Sequence, residues 1–251
     1  MQTQGEGEVD RLVHERFFVG APSGVFVDVG AAGPDFLSMS ALYRGLGWQV
    51  IAIEPNPVFC EAHRAAGHDV LQYACSNRDE DAVDFQVVNS HGDAYEDGSV
   101  SFESFSSLAV KPEYRAMRPD LDVTQIKVDV RRLDTILADH APGVHELDIV
   151  SVDVEGWELE VLEGLSFERY RPKVLIVENL FGDGAYAAAL RKRGFALWRR
   201  RAPNDVYVRS SILSPAERAA AVLRERSAGL QKVVATARAA IARLPRPRAA
   251  G

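Results

Sequence analysis

Four apolar runs in this chain end in residues that can do chemistry. Val25-Phe26-Val27 leads into Asp28-Val29-Gly30, and Val50-Ile51-Ala52-Ile53 leads into Glu54-Pro55. Residues 147–153 close on Asp153, with Glu155 two positions on, and residues 173–177 run into Glu178-Asn179. Short β-branched runs of this kind read as strands buried on both faces. Polar residues at their carboxyl ends surface at the edge where open parallel sheets bind ligands.

The first two strand ends suggest a nucleoside ligand. Gly30 lets the backbone turn sharply and come close to a bound group. Glu54 can accept hydrogen bonds from both hydroxyls of a ribose. A dinucleotide fingerprint would need G-x-G-x-x-G, so that a helix N-terminus receives a pyrophosphate. That pattern is missing, and Asp28 would repel an anion. A ligand carrying an ammonium and a sulfonium, S-adenosylmethionine, suits the site better. Its candidate contacts are Asp28, Gly30, Ala31, Gly33, Glu54 and Pro55, with Ser76 and Asn77 beside an adenine ring at the end of a third strand. A nicotinamide or flavin cofactor and an ordinary turn with no ligand are the competing readings.

The other two strand ends suggest catalysis. Asp153 either caps the helix that follows or lies at the reacting centre. Asp153, Glu178 and Asn179 together would offer oxygen ligands to a hard divalent cation such as Mg²⁺, or would only position substrate. Glu155 reads equally as a general base or as a carboxylate at a helix N-terminus. His91 and His14 qualify as bases by residue type alone, and a lone histidine is more often simply solvated. Glu158 and Glu160 are expected on the exposed face of their helix.

The intervening chain supplies the elements that must hold these groups. Helices are expected over residues 36–46, 57–66, 133–140, 157–164 and 185–193. A third strand is expected over 69–73, half-buried strands over 82–88 and 126–130, and a terminal hairpin over 195–198 and 205–208. Residues 89–122 are irregular and read as a substrate loop or lid. Residues 1–10 read as a polar tail without structure, followed by a short helix over 9–19. From Ser214 a capping box opens an arginine-rich helix. Its Leu223, Leu230, Ala237 and Leu244 recur every seven residues, a stripe suited to packing or self-association, or to a membrane surface. The organisation expected is a tail and short helix (1–24), a main domain (25–209) and an appended helix (210–251).

With 47% hydrophobic and 26% charged residues, the composition is that of a soluble globular chain. The net charge of −7 argues against nucleic acid as the main partner. No apolar run approaches the ~20 residues of a membrane span. Two cysteines, Cys60 and Cys75, without zinc spacing, fit a reducing compartment, the cytoplasm.

Residues 25–33, Ile53-Glu54-Pro55-Asn56-Pro57, residues 130–137 and above all the D-x-E-G-x-E-x-x-V-L-x-G run over 153–164 resemble the FkbM family of S-adenosylmethionine-dependent methyltransferases. The resemblance spans residues 25–209. It implies an α/β Rossmann-like class I methyltransferase fold with a mostly parallel seven-stranded sheet. It also implies O-methylation of a hydroxyl on a sugar or natural-product small molecule, with the cofactor around Asp28, Gly30 and Glu54. Metal-dependent O-methyltransferases similar to catechol methyltransferase carry Asp, Asp and Asn at comparable strand ends. One departure stands out: the family favours a glycine where this chain has Pro34, and Gly33 comes one place early. Either the loop is reshaped or Pro34 begins the next helix. A nicotinamide-dependent oxidoreductase and a non-catalytic binding module remain the alternatives.

Overall fold

The computed structural model describes residues 5–35, 38–89, 106–112 and 122–225. Its main sheet has six strands in the order β2 (Gln49–Ile53), β1 (Val25–Val29), β6 (Ile149–Val152), β7 (Val174–Glu178), β9 (Asn204–Arg209) and β8 (Phe195–Arg201). The first four are parallel, and β9 runs antiparallel to both β7 and β8. A second sheet orders β3 (Ala74–Cys75), β5 (Asp122–Arg131) and β4 (Glu80–Asn89). Strand order reverses at β1, which has β2 on one side and β6 on the other. Such a reversal opens a crevice at the carboxyl ends of the strands.

The continuous apolar runs follow from this layering. Successive strand residues point to opposite faces. Val27, Val29, Val150, Val152, Leu175 and Val177 pack on one face with Leu133, Ile136, Leu137, Val161 and Leu162. Phe26, Ile149, Val174 and Ile176 pack on the other with Val9, Val13, Tyr43, Trp48 and Trp198. With both faces covered, neither needs polar residues.

The structure departs from expectation in four places. Residues 69–73 form no strand: Leu71 makes a single parallel bridge to Ile53, and the chain then joins β5 through Ala74–Cys75. Among the described residues the main sheet therefore has six strands, not seven. Of the helix expected over 36–46, the described residues form only Ala41–Gly45, and residues 38–40 separate it from Pro34. The segment expected to be a tail is folded from Gly5, and Val9 and Val13 are fully buried, covering the second face of the sheet. The terminal helix, described over residues 215–225, has its capping box: Ser214 Oγ and Glu217 exchange hydrogen bonds. It buries Ala221 and leaves Leu223 exposed. Leu230, Ala237 and Leu244 lie outside the described residues. Among the described residues, no helix is long and apolar enough to cross a membrane.

Candidate active site

Two strand ends and the loop between them make one edge of the crevice. The Gly30 and Ala31 amides donate to the Ile53 carbonyl at 2.9 and 3.2 Å, which folds the loop after β1 back over the end of β2. Gly30 has φ +77°, and a Cβ there would sit 1.7 Å from the Asp153 carbonyl oxygen. Only glycine satisfies both the left-handed backbone and this close approach. Beyond it, Ala32 also has positive φ. Its carbonyl accepts from Nε2 of the buried His63 at 3.0 Å, a support that the residue pattern did not reveal. Gly33 faces open space.

Glu54 ties the loop to the next helix. Its Oε2 accepts the Ala32 amide at 3.0 Å, and its Oε1 accepts the Asn56 amide at 2.8 Å. Asn56 in turn caps the helix Pro57–Ala65. Burial pushes the Glu54 carboxyl up to about 7, against the opposing pull of those two amides. Asp28 is buried as well, and burial pushes it up to about 6. Ser40 and the Arg44 guanidinium act against that rise. Yet Asp28 Oδ2 has no hydrogen-bond partner. A buried orphan acceptor beside a glycine loop is what an ammonium-bearing ligand would satisfy. The residues present therefore fit S-adenosylmethionine. Pro55 is buried behind Glu54. Ser76 is buried, Asn77 is exposed and donates to Glu163 at 2.9 Å, and a Cβ at Gly164 would meet the Ser76 carbonyl at 2.3 Å. The end of β3 thus rests on the end of the helix Glu158–Glu163.

The other edge lies one residue beyond the paired Val152 and Val177 of β6 and β7. Carboxylate oxygens of Asp153, Glu155 and Glu178 lie within 4.8 Å of one another. Glu155 sits at φ +57° and is buried, and its Oε2 has no partner. Burial, reinforced by neighbouring carboxylates, holds Asp153 and Glu155 well above the usual carboxylate range. Asn179 has other partners. Its Oδ1 accepts the Asp183 amide at 2.7 Å, and its Nδ2 donates to Asp205 at 2.8 Å and to the Asp183 carbonyl at 3.1 Å. It braces its own loop and the hairpin.

Glu158 overturns the expectation of an exposed helix face: it is fully buried. Oε1 accepts the Val154 and Gly156 amides at 3.2 and 2.8 Å, and Oε2 accepts the Tyr186 hydroxyl at 2.6 Å. This carboxylate therefore fixes the loop that carries Glu155. Asp153 does not cap the helix, whose N-cap position is Trp157. Helical spacing puts Glu158 beside Val161 and Leu162 on the buried face, the signal that could have found it. Segment 106–112 closes over the same loop. Trp157 Nε1 donates to the Ala109 carbonyl at 3.1 Å, and Lys111 bonds the Gly156 carbonyl while lying 4.7 Å from the Trp157 ring centroid. His91 lies outside the described residues, as does most of the expected loop over 89–122. His14 is buried on the far face against Tyr43.

Comparison with known proteins follows the same lines. Residues 19–197 match the family model described as the methyltransferase FkbM domain. The chain is similar to "Methyltransferase sdnD" of Sordaria araneosa, 33% identical over 88 residues, covering 31% of this chain and 34% of that protein. It is also similar to "Methyltransferase 1" of Beauveria bassiana (strain ARSEF 2860), 35% identical over 89 residues, covering 33% of this chain and 35% of that protein. The chain thus spans about a third of the length of the curated relatives it matches. A family match over more than half of the chain, on the strand ends and loops just described, means that this chain belongs to the FkbM methyltransferase family.

Proposed function

We propose that this chain binds S-adenosylmethionine and directs its methyl group to a hydroxyl of a sugar or natural-product small molecule. The observation that carries the reading is the β1–β2 edge. There a buried Asp28 with an unpartnered Oδ2, a glycine loop and a backbone-anchored Glu54 lie together at two adjacent strand ends. Each Glu54 oxygen already accepts one amide and retains a second lone pair for a ribose hydroxyl. Asp28 suits the cofactor's ammonium. When bound, the cofactor supplies an electrophilic methyl on a sulfonium. The chain must then align the acceptor oxygen, exclude water and take up the hydroxyl proton. At the β6–β7 edge, Asp153 and Glu155 have carboxyls raised toward that task. Trp157, with Ala109 and Lys111 packed on it, sits two residues beyond Glu155.

Calorimetric titration with S-adenosylmethionine, its demethylated product and NADH tests the reading. Binding of the first two and not of NADH is expected. Glu54→Ala should weaken that binding by roughly 1.5–3 kcal/mol, the scale of hydrogen bonds to a charged group. Wild-type affinity in the variant would remove Glu54 from the site, and binding of NADH alone would overturn the methyl-transfer reading.

A further inference from the structure

We infer that Asp153, Glu155 and Glu178 form a binding site for a single hard divalent cation of the Mg²⁺ or Mn²⁺ class. The inference stands apart from the cofactor reading, because it rests on the other edge of the crevice.

Three observations carry it. First, the three carboxylates come from two adjacent strand ends and one loop, and each brings an oxygen within 4.8 Å of the others. Second, Glu155 is more than nine-tenths buried, and its Oε2 has no hydrogen-bond partner. Burying an ionised carboxylate without a partner is costly unless a cation or proton meets it. Third, other acids crowd the same place: Glu158, Glu6, Asp28 and Glu54 act through space on Asp153, and Glu178, Glu158 and Glu6 on Glu155. Lys111, the cation packed on this loop, is held by the Gly156 carbonyl, the Trp157 ring and Glu160 at 3.9 Å.

An all-oxygen donor set selects hard ions over zinc or copper. Each carboxylate need give the ion only one oxygen. Glu155 thereby takes the place that residue order alone gave to Asn179, whose amide braces the 179–183 loop. Glu158 would be the supporting residue, since it holds the Val154 and Gly156 amides on either side of Glu155.

The test is direct ion binding by the full chain after dialysis against EDTA. Loss of the free Mn²⁺ signal in electron paramagnetic resonance gives affinity and stoichiometry, and competition with Mg²⁺ gives selectivity. One Mn²⁺ per chain is expected, displaced by Mg²⁺. Glu155→Gln and Glu178→Gln, both near-isosteric, should each weaken it roughly tenfold or more, on the scale of site-residue losses at metal centres. The surface variant Glu146→Gln should bind as wild type. Circular dichroism melts establish that each variant is folded. Absence of Mn²⁺ binding by the wild type overturns the inference, as does binding that survives both substitutions. S-adenosylmethionine affinity, measured separately on the ion-free chain, can stand or fall without bearing on the ion site.

Discussion

The two edges of the crevice are built from the same materials and handle acidity in opposite ways. At the β1–β2 edge, acids meet donors: Glu54 accepts two backbone amides, and Ser40 and Arg44 act on Asp28. At the β6–β7 edge, acids meet acids: Asp153, Glu155 and Glu178 crowd together, while the Val154 and Gly156 amides and the Tyr186 hydroxyl donate to Glu158. The first edge is the one we propose for an organic ligand with hydroxyls and positive charge. The second gathers carboxylates around one point. The two edges meet where Gly30 lies against the Asp153 carbonyl.

That contact is where the contrast is most vulnerable. Gly30→Ala puts a methyl group into the Asp153 carbonyl oxygen at positive φ, combining overpacking with backbone strain. A stability loss of about 4 kcal/mol is expected in urea unfolding, on the sum of those two effects. Loss of both cofactor and Mn²⁺ binding should accompany it. A stable variant that loses only one would mean the edges are independent.

Glu158→Ala tests whether the second edge depends on its buried support. It strands two backbone amides and the Tyr186 hydroxyl, each of which costs about 1–3 kcal/mol when left unsatisfied. A loss of about 3 kcal/mol in urea unfolding is expected, allowing for partial entry of water. Cofactor affinity should change far less than Mn²⁺ affinity. An equal loss of both would erase the distinction between the edges.

Changing pH isolates the first edge. The folded pKa of Glu54, about 7, lies above its ordinary 4.5, so the folded chain holds the proton more tightly. The stability this contributes is fully present below about pH 4.5 and is lost as pH rises through about 7. In Glu54→Gln the fall in stability between pH 5 and pH 8 should be shallower than in wild type by on the order of 2 kcal/mol, at about 1.36 kcal/mol for each pH unit. Parallel pH profiles from thermal melts of the two proteins would show that the amides fully offset the burial of Glu54.

Much of this was legible in residue order. Val25–Val29, Gln49–Ile53, Ile149–Val152 and Val174–Glu178 read as buried strands because each is a short apolar run closed by a polar residue. Strands buried on both faces leave few alternatives to a parallel α/β sheet. The pairing of Gly30 with Glu54 at one edge follows from that topology. Residues 69–73 failed because a run of apolar residues indicates extended chain and not its partner. There the chain makes one bridge and joins the second sheet.

Packing in three dimensions settled which acid meets which donor. Asp153, Glu155, Glu158, Glu178 and Asn179 are interchangeable on paper, since all are oxygen-bearing residues near strand ends. Their roles separate only once β6 and β7 lie in register and Glu155 takes its positive φ. Glu158 then turns inward to hold the loop, Asn179 turns to Asp183 and Asp205, and Asp153, Glu155 and Glu178 are brought together. Sequence sets the period of burial, which is local. Distances between groups far apart in the chain set the electrostatics, and only the packed fold fixes them.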